Sequence, residues 1–349
     1  MSCSLKPCSH NCSFSSSSGL WRWRIPTMAV IIAAVTAIAG FMTSSYALAG
    51  LLSGQEVQVQ GATRSYDLYV PDDLGRHAVP LVFMFHGHMG SSKVMTGANQ
   101  RAAPYKLWLI LAQRDKFIVV APQGEKGSDG YRGWNDCRAD AKSNPPVDDV
   151  AFVDAMLTAI SAHYPVDKKR IYTTGTSNGG NFSYRLAQER TRVFAAAAPV
   201  VAAMPAVNKC QPPTAPISLL IMNGTADPIL PFAGGAVGRR KSDQETRGST
   251  LSAQETVQYW TQHNGTDSKA VITELADIDA DEDSSIRVAS YGQGREGSEV
   301  LLYEVRGGGH AEPSLSQHYG WLYRRIVGPQ NHDIEMAEVV WHFFQRHHR

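Results

Sequence analysis

Very little in the chain marks a specialised class. Of its 349 residues only five are cysteine, and Cys3, Cys8 and Cys12 fall within the first twelve positions. That excludes a disulfide-dense mini-scaffold and a cysteine-rich metal domain. Net charge is nearly absent, with 33 Lys and Arg facing 32 Asp and Glu. The first 49 residues hold Lys6, Arg22 and Arg24 with no acid, which leaves the remainder at −2. Such balance argues against a nucleic acid or an anionic membrane surface as partner. Past position 42 no apolar run approaches the roughly 20 residues that a spanning helix needs. Nor does a glycine-rich phosphate loop follow the first strand-like run, which argues against a nucleotide enzyme.

What is present is ordinary globular composition, 43% apolar and 19% charged, enough for a sizeable core. The N-terminus reads as an export signal. Arg22 and Arg24 precede the apolar run 28–42, and Ala47-Leu48-Ala49 has the small-x-small form of a cleavage site. A mature chain is expected from about Gly50, secreted or periplasmic, with no stable membrane span; an uncleaved anchor is the alternative. Removing residues 1–49 leaves two cysteines, Cys137 and Cys210. In an exported chain a lone pair favours a disulfide over a metal site or two free thiols, although sequence does not place them in space.

Apolar runs at 79–87, 117–124 and 217–224 end in Gly or Pro and suit strands buried on both faces of a parallel sheet. Residues 64–71 alternate as a half-exposed strand does, and 170–175 is a further strand. Helices are expected over 98–114, from Asp148 to Pro165, just after Ser177, around 252–265 and over 333–347. A hairpin-like pair lies at 286–291 and 299–305. Strand–helix–strand alternation implies an α/β fold with a mostly parallel sheet and helices on both faces. Residues 50–349 read as one catalytic domain, with 234–252 a polar surface loop.

Gly175-Thr176-Ser177-Asn178-Gly179 has the G-x-S-x-G form and sits where an apolar strand passes into a helix. A nucleophile elbow needs that geometry, and the helix N-terminus favours developing negative charge. A serine nucleophile needs a base and an acid to orient it. Asp227 follows the apolar strand 217–224, and His310 follows three glycines at the end of another strand. The order Ser177, Asp227, His310 is the one this kind of sheet uses. An oxyanion would find one donor in the amide of Asn178 and a second in the loop "FMFHGHMGSS", at His88. His86-Gly87-His88 could instead be a metal pair, but no third ligand is near in sequence. The acidic run 277–283 lacks the glycine and spacing of a calcium loop and reads as a solvated turn. Tyr131 and Trp134, on the long loop 123–147, and Phe232, after the acid, are candidates for the pocket wall. No metal and no cofactor are expected.

These motifs together resemble the secreted esterases of polyhydroxybutyrate depolymerase and feruloyl esterase type. The likeness runs through residues 147–200, "NGTADPILPFAGG", "GGGH" and "IEMAEVVWHFF", collinear from about Ser65 to Phe344. It implies an α/β-hydrolase fold and an acyl-enzyme mechanism without cofactor. It places the nucleophile at Ser177, the acid at Asp227 and the base at His310, and pairs Cys137 with Cys210. Relatives often carry Trp shortly after the histidine, where this chain has Ala311-Glu312-Pro313, so the ester's identity stays open. No polymer-binding domain follows the terminal helix in this sequence, which favours soluble esters, such as hydroxyalkanoate oligomers or feruloyl and aryl esters, over granules. A serine peptidase on the same fold and an inactive binding protein are the competing readings.

Overall fold

The structure, a computed structural model, describes residues 50–99, 103–279 and 283–349. The expected leader with its cleavage site, and residues 280–282 of the acidic run, lie outside the described residues.

Ten strands form one sheet: β1 (Leu51–Val59), β2 (Ala62–Tyr69), β3 (Val79–Phe85), β4 (Ile118–Pro122), β5 (Val166–Thr176), β6 (Ala196–Val200), β7 (Ser218–Gly224), β8 (Val271–Glu274), β9 (Ser285–Tyr291) and β10 (Val300–Arg306). Their order is β1-β2-β4-β3-β5-β6-β7-β10-β9-β8. The six central strands from β4 to β10 are parallel to one another, whereas the two strands at each edge pair antiparallel. The apparent hairpin is therefore more than a hairpin. Strand β10 pairs antiparallel with β9, as Val288 opposite Tyr303, and parallel with β7, as Leu302 beside Ile221.

The continuous apolar runs are explained by burial on both faces. Along β3, Leu81, Phe83 and Phe85 enter one core while Val82 and Met84 enter the other, the period-two alternation of a strand. Helices α2 (Asp149–His163), α3 (Asn178–Glu189) and α4 (Ala253–Asn264) cover the first core; α1 (Leu107–Asp115) and α6 (Met336–Gln345) cover the second. Helix α2 starts where expected, because the Asp148 side chain accepts from the Ala151 amide at 2.9 Å. Ser252 and Glu255 cap α4 reciprocally.

Three expectations change. The helix expected over 98–114 begins only at Leu107, after a short 3₁₀ turn at Pro104–Lys106, since proline lacks the amide a helix interior requires. The loop 234–252 contains a short helix, Lys241–Gln244, and a two-residue antiparallel pairing of Gly235–Ala236 with Ser249–Thr250. A helix not foreseen, α5 (Trp321–Val327), leaves Trp321, Leu322 and Ile326 largely exposed, so it carries none of the apolar periodicity that marks a helix packed on a core. Among the described residues no helix is long and apolar enough to cross a membrane.

Cys137 and Cys210 are bridged, with Cα atoms 5.3 Å apart, and their link closes 73 residues of chain. Constraining a loop of that length contributes about 4 kcal/mol in the chain-entropy model. Reduction, or Cys210→Ser, is expected to lower the urea midpoint accordingly. Identical unfolding curves with and without reductant would contradict that contribution.

Candidate active site

Strand β5 delivers Ser177 to the carboxyl edge of the sheet, and α3 begins at the next residue. Ser177 holds φ 55° and ψ −122°, a backbone conformation that non-glycine residues rarely adopt. Its amide donates to the Val200 carbonyl and its carbonyl accepts from Asn181, so both sides of the bend are pinned. The flanking glycines are required by close approach. A Cβ on Gly179 would lie 2.2 Å from the Phe85 carbonyl oxygen, and one on Gly175 would lie 2.6 Å from the Gly179 carbonyl carbon. A side chain at either position would push the helix off the sheet.

Strands β7 and β10 are neighbours, and their loops lock together. The Ala226 amide donates to Gly308 at 2.9 Å and the Thr225 amide to Val305 at 2.9 Å. Asp227 is thereby set beside His310, whose Nδ1 lies 2.6 Å from Asp227 Oδ2. The other carboxylate oxygen accepts from the Ile229 and Leu230 amides at 2.7 and 2.9 Å. With Asp227 accepting at Nδ1, Nε2 is the ring nitrogen left for chemistry; it has no hydrogen-bond partner among the described residues. Ser177 and His310 line one cavity of about 940 Å³, at the carboxyl ends of the strands, where open α/β sheets hold their ligands.

The loop after β3 supplies the facing wall. The amides of Met89 and Gly90 are occupied by Arg132 and Gly87 carbonyls, whereas those of His88 and Asn178 have no acceptor among the described residues. Both His88 and Ser177 line the cavity. The His86 ring is spoken for: Nδ1 donates to the Gly87 carbonyl at 2.7 Å and Nε2 accepts from the Gly124 amide at 3.0 Å. Burial, foremost, holds its pKa down to about 4 and keeps it neutral. His88 instead meets Asp129 at 2.8 Å.

None of the three residues expected in the pocket wall lines this cavity. Trp134 is fully buried, with its indole N–H on the His86 carbonyl at 2.8 Å and its ring stacked on Phe182. Tyr131 is half exposed and sits edge-on to His88, and Phe232 packs against the core. The wall comes instead from Tyr105, Glu312, Tyr319, Tyr323, Ile326 and Arg247. Most follow His310 in the chain, in a stretch without helical or strand periodicity. Its one sequence signal was aromatic density in "HYGWLYRRIV".

Known proteins similar to this chain are esterases. A family model described as esterase PHB depolymerase matches residues 64–206. The protein NocK of Nocardia uniformis subsp. tsuyamanensis, assigned as an esterase, is 28% identical over 303 residues, 83% of this chain and 82% of that one. An Aspergillus niger protein assigned as feruloyl esterase C is 31% identical over 182 residues, 51% of this chain and 59% of its own length. Over the matched residues the chain is similar to esterases. A solved thermostable esterase superposes with a TM-score of 0.50 at 16% identity, over 86% of this chain and 64% of that one, and bears on the fold alone. The fold is that of an α/β-hydrolase.

The electrostatics of His310 are set by opposed neighbours. Burial works to lower its pKa, but the Asp227 charge and hydrogen bond, helped by the Glu312 charge, outweigh it, and the net shift is upward. Glu312 is itself buried and accepts from the Tyr319 hydroxyl at 2.6 Å. A general base must be unprotonated, so for the base role proposed below a raised pKa moves the acid limb of activity to higher pH. We expect kcat/KM for a neutral ester to rise through a pKa above the usual 6.5 of histidine, and Glu312→Gln to shift that limb downward. An unmoved or upward-moved limb in the variant would refute the assignment.

Proposed function

We propose that the protein is an exported serine carboxylic-ester hydrolase working through an acyl-enzyme. Ser177 Oγ attacks the ester carbonyl as His310 Nε2 takes its proton, and the amides of His88 and Asn178 donate to the oxyanion. The C–O bond to the alcohol then breaks and the alcohol leaves with the proton from His310. Water, deprotonated by His310, attacks the acyl-Ser177 ester; the acid departs and Ser177 regains its proton. Asp227 holds the imidazole tautomer and offsets the imidazolium charge throughout.

The observation that carries this reading is the Asp227–His310 pair at 2.6 Å, opening onto the cavity where the strained backbone of Ser177 presents its side chain. An ester is favoured because the matched relatives are named for esterase and feruloyl esterase activity. Feruloyl or other aryl esters and soluble hydroxy-acid oligomers are the first substrates to assay. The bridge between Cys137 and Cys210 suits an oxidising compartment, consistent with export, with residues 50–349 as the catalytic domain.

Ser177→Ala is expected to lower kcat for p-nitrophenyl esters by about 10⁴-fold or more and to abolish covalent labelling by a fluorophosphonate. Labelling that survives in the variant would remove Ser177 as the nucleophile. Cleavage of peptides with no turnover of any ester would favour the peptidase reading.

A further inference from the structure

The cavity is unevenly charged. Three guanidinium groups, Arg239, Arg240 and Arg247, line it against two carboxylates, Asp243 and Glu312. Arg240 sits 2.9 Å from Asp243, and Glu312 is engaged by Tyr319. Arg239 donates to the Arg325 and Ile326 carbonyls and has no acidic partner among the described residues.

Arg247 is the unusual member. Its side chain is only 19% exposed, yet its sole ion pair among the described residues is Asp243 at 3.4 Å, and its guanidinium makes no hydrogen bond with any of them. None of its nitrogens is a sealed orphan, so the unpaired N–H groups face accessible space. A guanidinium held this way has donors to spare, and its planar fork fits a carboxylate. Arg247 lines the same cavity as His88, Ser177 and His310, and its charge works to lower the pKa of both histidines. A group bound to Arg247 therefore shares the cavity that Ser177 and His310 line.

We propose that Arg247, with Arg239 and Arg240 on the same wall, binds a carboxylate of the substrate, so that the preferred substrate is an ester bearing a free carboxylate near the bond that is cleaved. This rests on the serine-hydrolase reading above and names the substrate class of that same site.

The test compares two matched pairs of esters. One is the p-nitrophenyl hemiester of glutaric acid against p-nitrophenyl pentanoate, with the charge on the acyl side. The other is the butyryl ester of 4-hydroxybenzoate against that of 4-hydroxybenzamide, with the charge on the alcohol side. In at least one pair the carboxylate member is expected to have about tenfold or greater kcat/KM, the size a charge-assisted hydrogen-bond pair supplies. Arg247→Gln is expected to bring that ratio near one, Arg247→Lys to retain part of it, and high salt to weaken it. No carboxylate preference in either pair, or a preference unchanged in Arg247→Gln, overturns the proposal. So does an equal loss on both members, which assigns Arg247 to bracing its loop through Asp243. Turnover of the neutral esters separates the two levels. If the wild type cleaves them without a carboxylate preference, only this inference fails; if it cleaves no ester, the hydrolase reading fails with it.

Discussion

The approach of helix α3 to the end of strand β3 is the constraint on which the site depends. Gly179 comes so near the Phe85 and His86 carbonyls that its missing side chain is what allows the helix to seat. That contact sets Ser177 against the loop carrying His88, and so holds the proposed nucleophile and the proposed second oxyanion donor in one frame. The backbone strain at Ser177, of the order of 1–3 kcal/mol for such conformations, is held by the Val200 and Asn181 hydrogen bonds on either side. Loosening the helix would release the strain and blur the oxyanion geometry together.

A second support runs through Asn178, whose backbone and side chain have separate tasks. Its amide has no acceptor among the described residues and is the proposed oxyanion donor, while its side chain reaches into the loop 131–138. Oδ1 accepts from the Trp134 amide at 2.6 Å, and Nδ2 donates to Asp136 at 2.8 Å. Trp134 in turn donates to the His86 carbonyl, and Cys137 ties the same loop to Cys210. The loop that looked like a pocket wall is instead the clamp between the elbow and the oxyanion loop. A buried tryptophan bonded at its one donor is a rigid part for that purpose.

This division marks what could be read from the chain. Ser177, Asp227 and His310 each follow an apolar strand, and strand ends are visible as breaks in hydrophobic runs, so their convergence was legible before any coordinates. Trp134 was not, because residue type says that an indole is apolar with one donor, not which side of a loop it faces. The wall formed by Glu312, Tyr319, Tyr323 and Ile326 was hidden for a different reason. It reaches the cavity through long-range backbone bonds, Gly309 to Pro329 and His310 to Val327, that leave no periodic trace. The edge strand Leu51–Val59 was hidden as well, since it is mostly exposed and pairs on one side alone, so it carries no apolar run.

The charges around His310 give the cavity a coupled character. Asp227 and Glu312 favour its protonated form and Arg247 opposes it, so its basicity is a balance between Asp227 at Nδ1 and the charges of Glu312 and Arg247, which line the cavity. In such a space charges act over several ångströms with less screening than in bulk water. In the proposed mechanism, a carboxylate seated on Arg247 offsets the cation that works against proton uptake, at the step in which His310 accepts the proton of Ser177. Substrate recognition and base strength are then not independent. A ligand of the right charge strengthens the base by binding, whereas a neutral ester meets His310 with the opposing charge still in place. Discrimination by charge would accordingly appear in kcat as well as in KM, because part of the binding interaction is expressed only as the proton moves.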